Sequence, residues 1–167
     1  MIKIGDHLPA GMLDEFIDVE TEGCALGPNQ VDVLAQVKGK KIVIFGVPGA
    51  FTPTCSAKHV PDFIATHDAL AARGVDEIWC LSVNDPFVMG AWGRDQKAAG
   101  KVRMIADGSA DYTRKLGLEQ DLSKRGLGMR CQRFSMLIED GVVRTLDIDP
   151  AGTFDKTDAR TMLTHLD

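Results

Sequence analysis

The stretch KKIVIFGVPGAFTPTCSAKHVPDFIA, residues 40–65, decides how the rest of the chain is read. Its first eight residues form a nearly unbroken apolar run, the pattern of a strand buried on both faces. Pro48-Gly49 then marks a turn, and Thr52-Pro53 has the chemistry of a helix start. Threonine suits the cap, and proline suits the first helical position because its missing N–H is not needed there. Cys55 therefore falls in the first helical turn, where unpaired N–H groups and the helix dipole favour negative charge. Downstream, Val60, Phe63, Ile64, His67, Leu70 and Ala71 recur at the spacing of one helix face, ending at Arg73-Gly74. Pro61 lies inside this segment and is expected to kink the helix or shift its first turn.

Strand, turn and helix alternate onward from there. DEIWCLSV (76–83) and KVRMIAD (101–107) read as further strands, separated by a helix that Asn84-Asp85-Pro86 starts and Gly100 follows. SADYTRKLG predicts a short helix with a serine cap. The loop LEQDLSKRGLGMRCQ shows no period, and its Ser-Lys-Arg at 123–125 reads as a solvated face. RFSMLIED and VVRTLDID flank Gly141 as a hairpin, and KTDARTMLTHL closes the chain as a helix. The order β-α-β-α-β-α-β-β-α predicts an α/β fold: one domain over residues 1–167, with a central mixed β-sheet and helices on both faces.

Composition narrows the function. The 167 residues carry a net charge of −5, which argues against nucleic acid or anionic lipid as partners. No apolar run approaches the length of a membrane span, and the acidic N-terminal stretch does not read as an export signal, so a cytoplasmic protein is expected. Cys24, Cys55, Cys80 and Cys131 are dispersed without a C-x-x-C pair. Neither a disulfide framework nor a metal site is expected, and no cofactor is implied.

That leaves Cys55 as the chemical centre. A free thiol has a pKa of roughly 8.5. A helix dipole contributes about 0.3–1 kcal/mol at an exposed site. That is less than one pKa unit at about 1.36 kcal/mol per unit, so a thiolate here calls for a nearby cation. Arg130 and Arg133 both precede the same strand and qualify equally on physical grounds. His59 lies one turn beyond Cys55, placed to hold the thiolate or to shape the pocket. A cysteine hydrolase using Cys55 and His59 would need a third group to orient the imidazole, and Pro61-Asp62 offers none.

In PGAFTPTC, Pro48, Thr52 and Cys55 match the P-x-x-x-T-x-x-C signature of the peroxiredoxins, and the following SAKHVP resembles the plant type II and human type V-like group. The resemblance extends through IKIGDHLP, LSVNDPFVMGAW, DGSADYTRKLGL and RFSMLIEDGVV, nearly the whole chain. It implies a thioredoxin-like fold and a thiol-dependent peroxidase acting on hydrogen peroxide and alkyl hydroperoxides. By this resemblance Cys55 attacks the O–O bond and becomes a sulfenic acid, Thr52 orients the peroxide, and Pro48 shields the sulfur. Arg133 supplies the cation, and Arg130 is left to the loop wall. A homodimer across the active-site face is expected, with Phe51, Phe87 and Trp92 as candidate contacts.

The chain departs from the type V pattern at GTFDKTDA (152–159), where Thr157 stands in place of the late resolving cysteine. Cys80, mid-strand, is the remaining resolving candidate, and a bridge to Cys55 would require local unwinding. Cys24 and Cys131 read as incidental. The expectation is a one-cysteine cycle, with glutathione/glutaredoxin or thioredoxin as reductant. The alternative is a peroxide-sensing redox or chaperone protein on the same scaffold, against which the complete Thr52, Cys55 and Arg133 set argues.

Overall fold

The computed structural model describes residues 1–17 and 26–167, so Cys24 lies outside the described residues. Its core is a sheet in which β3 (Lys41–Val47) lies between β4 (Glu77–Ser82) and β8 (Arg133–Glu139). The β3–β4 pair is parallel, with a helical crossover, and the β3–β8 pair is antiparallel. β5 (Arg103–Ala106) extends the parallel side, and β9 (Val142–Asp149) closes the other as the hairpin partner of β8. All but the first residue of β3 are buried, as a central strand covered on both faces requires.

Helices cover both faces. α2 (Val60–Ala72), α3 (Pro86–Gln96) and α5 (Ala159–His165) pack one apolar cluster with Phe45, Phe63, Trp92 and Met162. α1 (Val33–Val37) and α4 (Asp111–Leu116) pack the other, with Val37, Trp79, Leu116 and Phe134. Cys55 belongs to the first cluster and Cys131 to the second, so the sheet separates them. The expected mixed sheet with helices on both faces is present.

Several local expectations change. β1 (Met12–Ile17) and β2 (Gly27–Asp32) add an antiparallel edge to β5 and complete the order β2-β1-β5-β4-β3-β8-β9. The sequence reading began its strands at residue 40 and missed both. β2 buries only Val31, so it carries almost no apolar signal. The loop after α4 holds a small ladder of β6 (Glu119–Asp121) against β7 (Met129–Cys131). Helix α3 stops at Lys97, itself left-handed at φ 57°, before Gly100 is reached. Serine does not cap α4: the buried Asp107 carboxylate accepts the N–H groups of Tyr112 and Thr113 instead. No helix among the described residues is long and apolar enough to cross a membrane.

Candidate active site

The site forms where β3 ends and the chain turns into its helix. Ala50 N–H donates to Asn84 Oδ1 at 2.9 Å, which ties this loop to the one following β4. Phe51 between them is left-handed at φ 64°, a conformation that costs a bulky residue about 1–2 kcal/mol. The loop then folds back on itself, bringing the Gly49 carbonyl within reach of Thr52.

Thr52 occupies the expected cap position, since its carbonyl accepts Ser56 N–H at 2.9 Å. Its hydroxyl does not accept a helix N–H, the usual role of a capping threonine. It donates to Gly49 O at 2.7 Å, which leaves its oxygen lone pairs for another donor. Residues Cys55–His59 form a π-helical turn, closed by Val60 N–H donating to Cys55 O. Pro61 accounts for it: without an N–H it cannot continue the ladder, and a widened turn just before it absorbs the defect. The expected disturbance at Pro61 therefore appears in the turn that carries Cys55.

Arg133 opens β8 and reaches across to this turn. Its Nη2 donates to Cys55 Sγ at 3.2 Å, and its Nη1 lies 2.8 Å from His59 Nδ1. His59 Nε2 lies 3.0 Å from the Thr157 carbonyl. A carbonyl only accepts, so Nε2 carries the proton and Nδ1 presents its lone pair to the guanidinium. Burial, aided by the Arg133 charge, pulls the His59 pKa down to about 3, against weaker opposing effects from the Thr157 bond and Asp149. His59 is thus a neutral imidazole. It cannot hold a thiolate by charge, which removes one of its two expected roles. It aims the arginine instead.

The network continues outward. Asp149 Oδ2 accepts Thr157 N–H at 3.1 Å and Thr157 Oγ1–H at 2.7 Å, and the same carboxylate takes Asp155 and Lys156 N–H. Burial works against that carboxylate's charge, but these four donors outweigh it and lower its pKa. Asp149 faces Arg133 in register across the β8–β9 pair, yet its bonds go to the loop. His59 is further enclosed by Phe45 and Phe154, at ring-centroid distances of 4.7 and 4.9 Å. Phe154 also lies under the Arg133 guanidinium. Sequence reading missed Phe154 and Asp149, though the first lies within the GTFDKTDA stretch it singled out and the second just before it.

Of the other candidates, Pro48 and Thr52 share the wall of a cavity of about 230 Å³ with Arg133. Cys55 is fully buried. Cys80 is also fully buried, on the same side of the sheet, and burial together with the nearby Cys55 and Cys131 sulfurs raises its thiol pKa strongly. Cys131 is buried on the far face, its thiol donating to Gln132 O and its pKa likewise raised by burial. Arg130 donates to Leu127 O at 2.8 Å and Val83 O at 3.3 Å, clamping loops rather than the sulfur. Trp92, expected as a contact surface, is a core residue whose indole N–H donates to Ser56 Oγ; Phe51 and Phe87 are exposed. Asp62 accepts Ala159 N–H, and the two His59 nitrogens face Thr157 O and Arg133, so among the described residues no carboxylate orients His59 for hydrolase chemistry.

Comparison with known proteins agrees with this geometry. Residues 3–163 match the Redoxin family model. Peroxiredoxin-2B of Arabidopsis thaliana is 47% identical over 165 residues, covering 99% of this chain and 98% of that protein. The chain is a peroxiredoxin. Reduced Prx3 from Vibrio vulnificus, solved in complex with hydrogen peroxide, superposes over the whole of both chains with a TM-score of 0.91 at 44% identity. A Burkholderia cenocepacia structure described as a putative thioredoxin reductase matches with a TM-score of 0.97 at 59% identity, covering 98% of this chain and 97% of that one. This peroxiredoxin has no C-x-x-C pair, and its matches to named peroxiredoxins give its class: a thioredoxin-like fold serving as a thiol-dependent peroxidase.

Proposed function

We propose that Cys55 is the peroxidatic nucleophile, with Arg133 and Thr52 acting directly on the peroxide. One observation carries this reading: Arg133 Nη2 lies 3.2 Å from the Cys55 sulfur, and no carboxylate pairs with that guanidinium among the described residues. The thiolate attacks one peroxide oxygen, the O–O bond breaks, and its electron pair leaves on the other oxygen, which takes a proton to become water or alcohol. Sulfur is oxidised by two electrons to the sulfenic acid. Arg133 stabilises the negative charge as it passes from sulfur to the leaving oxygen, and the Thr52 oxygen orients the peroxide. Pro48 screens the pocket. His59 acts as a positioning residue behind Arg133.

The regeneration step is a one-cysteine cycle in which an external thiol, from glutathione/glutaredoxin or thioredoxin, reduces the sulfenic acid. The position of Thr157 favours this, because the residue replacing the late cysteine is buried and holds His59. Cys80 is a poor internal resolver, since its raised pKa keeps it a thiol and only the thiolate attacks. A thiol reductant can reach the fully buried Cys55 only when its first turn opens, and the π-helical turn before Pro61 is the weak point. The whole chain works as one domain. Exposed Phe51 and Phe87 favour a homodimer, and three unpaired buried cysteines suit a reducing cytoplasm.

Hydrogen peroxide consumption with glutathione and glutaredoxin, beside thioredoxin, tests the cycle. Turnover is expected to survive Cys80→Ser and vanish in Cys55→Ser. Loss in both variants would move Cys80 into the resolving role.

A further inference from the structure

The cavity above the site contains a charge that the mechanism does not use. Its wall includes Arg133 and Arg125 and no Asp or Glu, although the chain as a whole is acidic. The two arginines differ. Arg133 is buried, and its two terminal nitrogens are bonded to His59 and Cys55. Arg125 is exposed, and the described residues provide its side chain with no hydrogen bond, ion pair or aromatic partner. One cation therefore sits at the floor of the cavity and the other at its mouth. Between them the wall is mostly apolar, with Pro53, Leu122 and Leu127, and its polar side chains there, Thr52, Thr54 and Gln120, are uncharged.

The position of Arg125 is fixed by its backbone. The β6–β7 ladder closes the loop from below, Leu122 N–H donates to Gly128 O at 2.8 Å, and Ser123 N–H donates to Asp121 Oδ1 at 2.8 Å. Arg130 braces the same loop through Leu127 O and ties it to the loop after β4 through Val83 O. The Ser-Lys-Arg face that the sequence reading left to solvent is solvent-exposed, but its last residue also lines the cavity.

We propose that Arg125 is a specificity-determining residue: it receives a carboxylate carried by the small organic molecule that enters the cavity, either a hydroperoxide with an apolar body or the reducing thiol. The proposal rests on this cavity being the route to Cys55. A mostly apolar, uncharged wall ending in an unpaired guanidinium suits a molecule with a hydrocarbon body and a terminal carboxylate. Hydrogen peroxide, which has neither, gains nothing from it.

Matched pairs test this. For the oxidising step, cumene hydroperoxide is compared with its para-carboxylate analogue; for the reducing step, glutathione with its diethyl ester. Each is run on the wild-type enzyme, Arg125→Gln and Arg125→Glu, with hydrogen peroxide oxidation as the control. In at least one step the charged-to-neutral rate ratio is expected to fall about threefold to fivefold in Arg125→Gln, the size of an exposed ion pair. It is expected to fall further in Arg125→Glu and to shrink in high salt. A fall in the peroxide step assigns the carboxylate to the substrate, and a fall in the thiol step assigns it to the reductant. Unchanged ratios in both steps overturn the proposal, as does an equal loss with hydrogen peroxide. A wild-type enzyme inert to hydrogen peroxide would instead count against the peroxidase assignment, a separate outcome.

Discussion

Arg103 and Arg133 are both largely buried arginines at strand starts, and they show how partners decide what a cation does. Arg103 forks onto both Glu15 oxygens, at 3.1 and 2.8 Å, and also binds Glu77 at 2.6 Å, where Lys40 and the Trp79 indole join. Two carboxylates neutralise it, and its pKa moves further up: burial opposes the charge, but the Glu15 and Glu77 bonds outweigh burial. Among the described residues Arg133 meets a neutral imidazole, a sulfur and the Phe154 ring, and no carboxylate. Nearby Asp149, which could have quenched it, spends its bonds on residues 155–157. A compensated guanidinium staples strands together. An uncompensated one keeps its charge available for chemistry.

The comparison yields predictions of decreasing size. Cys55→Ser is expected to abolish peroxide turnover, while Cys80→Ser and Cys131→Ser leave the rate of the first oxidation within about twofold; stopped-flow measurement of sulfur oxidation checks this. That span reflects the guanidinium, because these three cysteines are fully buried and, among the described residues, only Cys55 has an arginine bonded to it. Arg103→Met leaves two carboxylates facing each other and is expected to cost about 3 kcal/mol of stability in urea unfolding, with the peroxide rate unaffected.

Acid provides the third test. His59 titrates at about 3 in the folded protein and near the usual 6.5 when unfolded. The unfolded chain therefore binds more protons below pH 6.5, so stability is full above that value and falls as pH drops toward 3. From pH 7 to pH 5 the loss is about 2 kcal/mol, above the range where Asp149 begins to contribute with the same sign. Replacing the imidazole with a non-titrating side chain, as in His59→Leu, should remove that slope between pH 5 and 7. The same variant is expected to slow the peroxide reaction about tenfold through a misaimed Arg133, near 1.4 kcal/mol, the low edge of one charged hydrogen bond.

Much of this was legible in the sequence. The apolar run of β3 and the Thr52-Pro53 cap placed Cys55 in a first helical turn, and energetic arithmetic called for a cation. Physical reasoning left Arg130 and Arg133 equal; the resemblance favoured Arg133, and the contact lies there. The alternation of strands and helices gave the mixed sheet. What stayed hidden depended on tertiary context. β2 is the edge strand and β1 its neighbour, and each fully buries a single residue, so their periodicity is faint. The role of His59 follows from its tautomer, which a carbonyl 98 residues away sets. Arg125 reads as a surface residue by composition, and only the folded loop brings it to the cavity wall.

The most direct test of the whole account is the second-order rate of hydrogen peroxide reduction by Arg133→Met beside Arg103→Met, each with its unfolding free energy. Loss of a donor aimed at developing charge predicts a fall of about 10²–10³ in the Arg133 variant with the fold intact, and none in the Arg103 variant. A folded Arg133→Met protein that reduces peroxide within about threefold of the wild-type rate would contradict it.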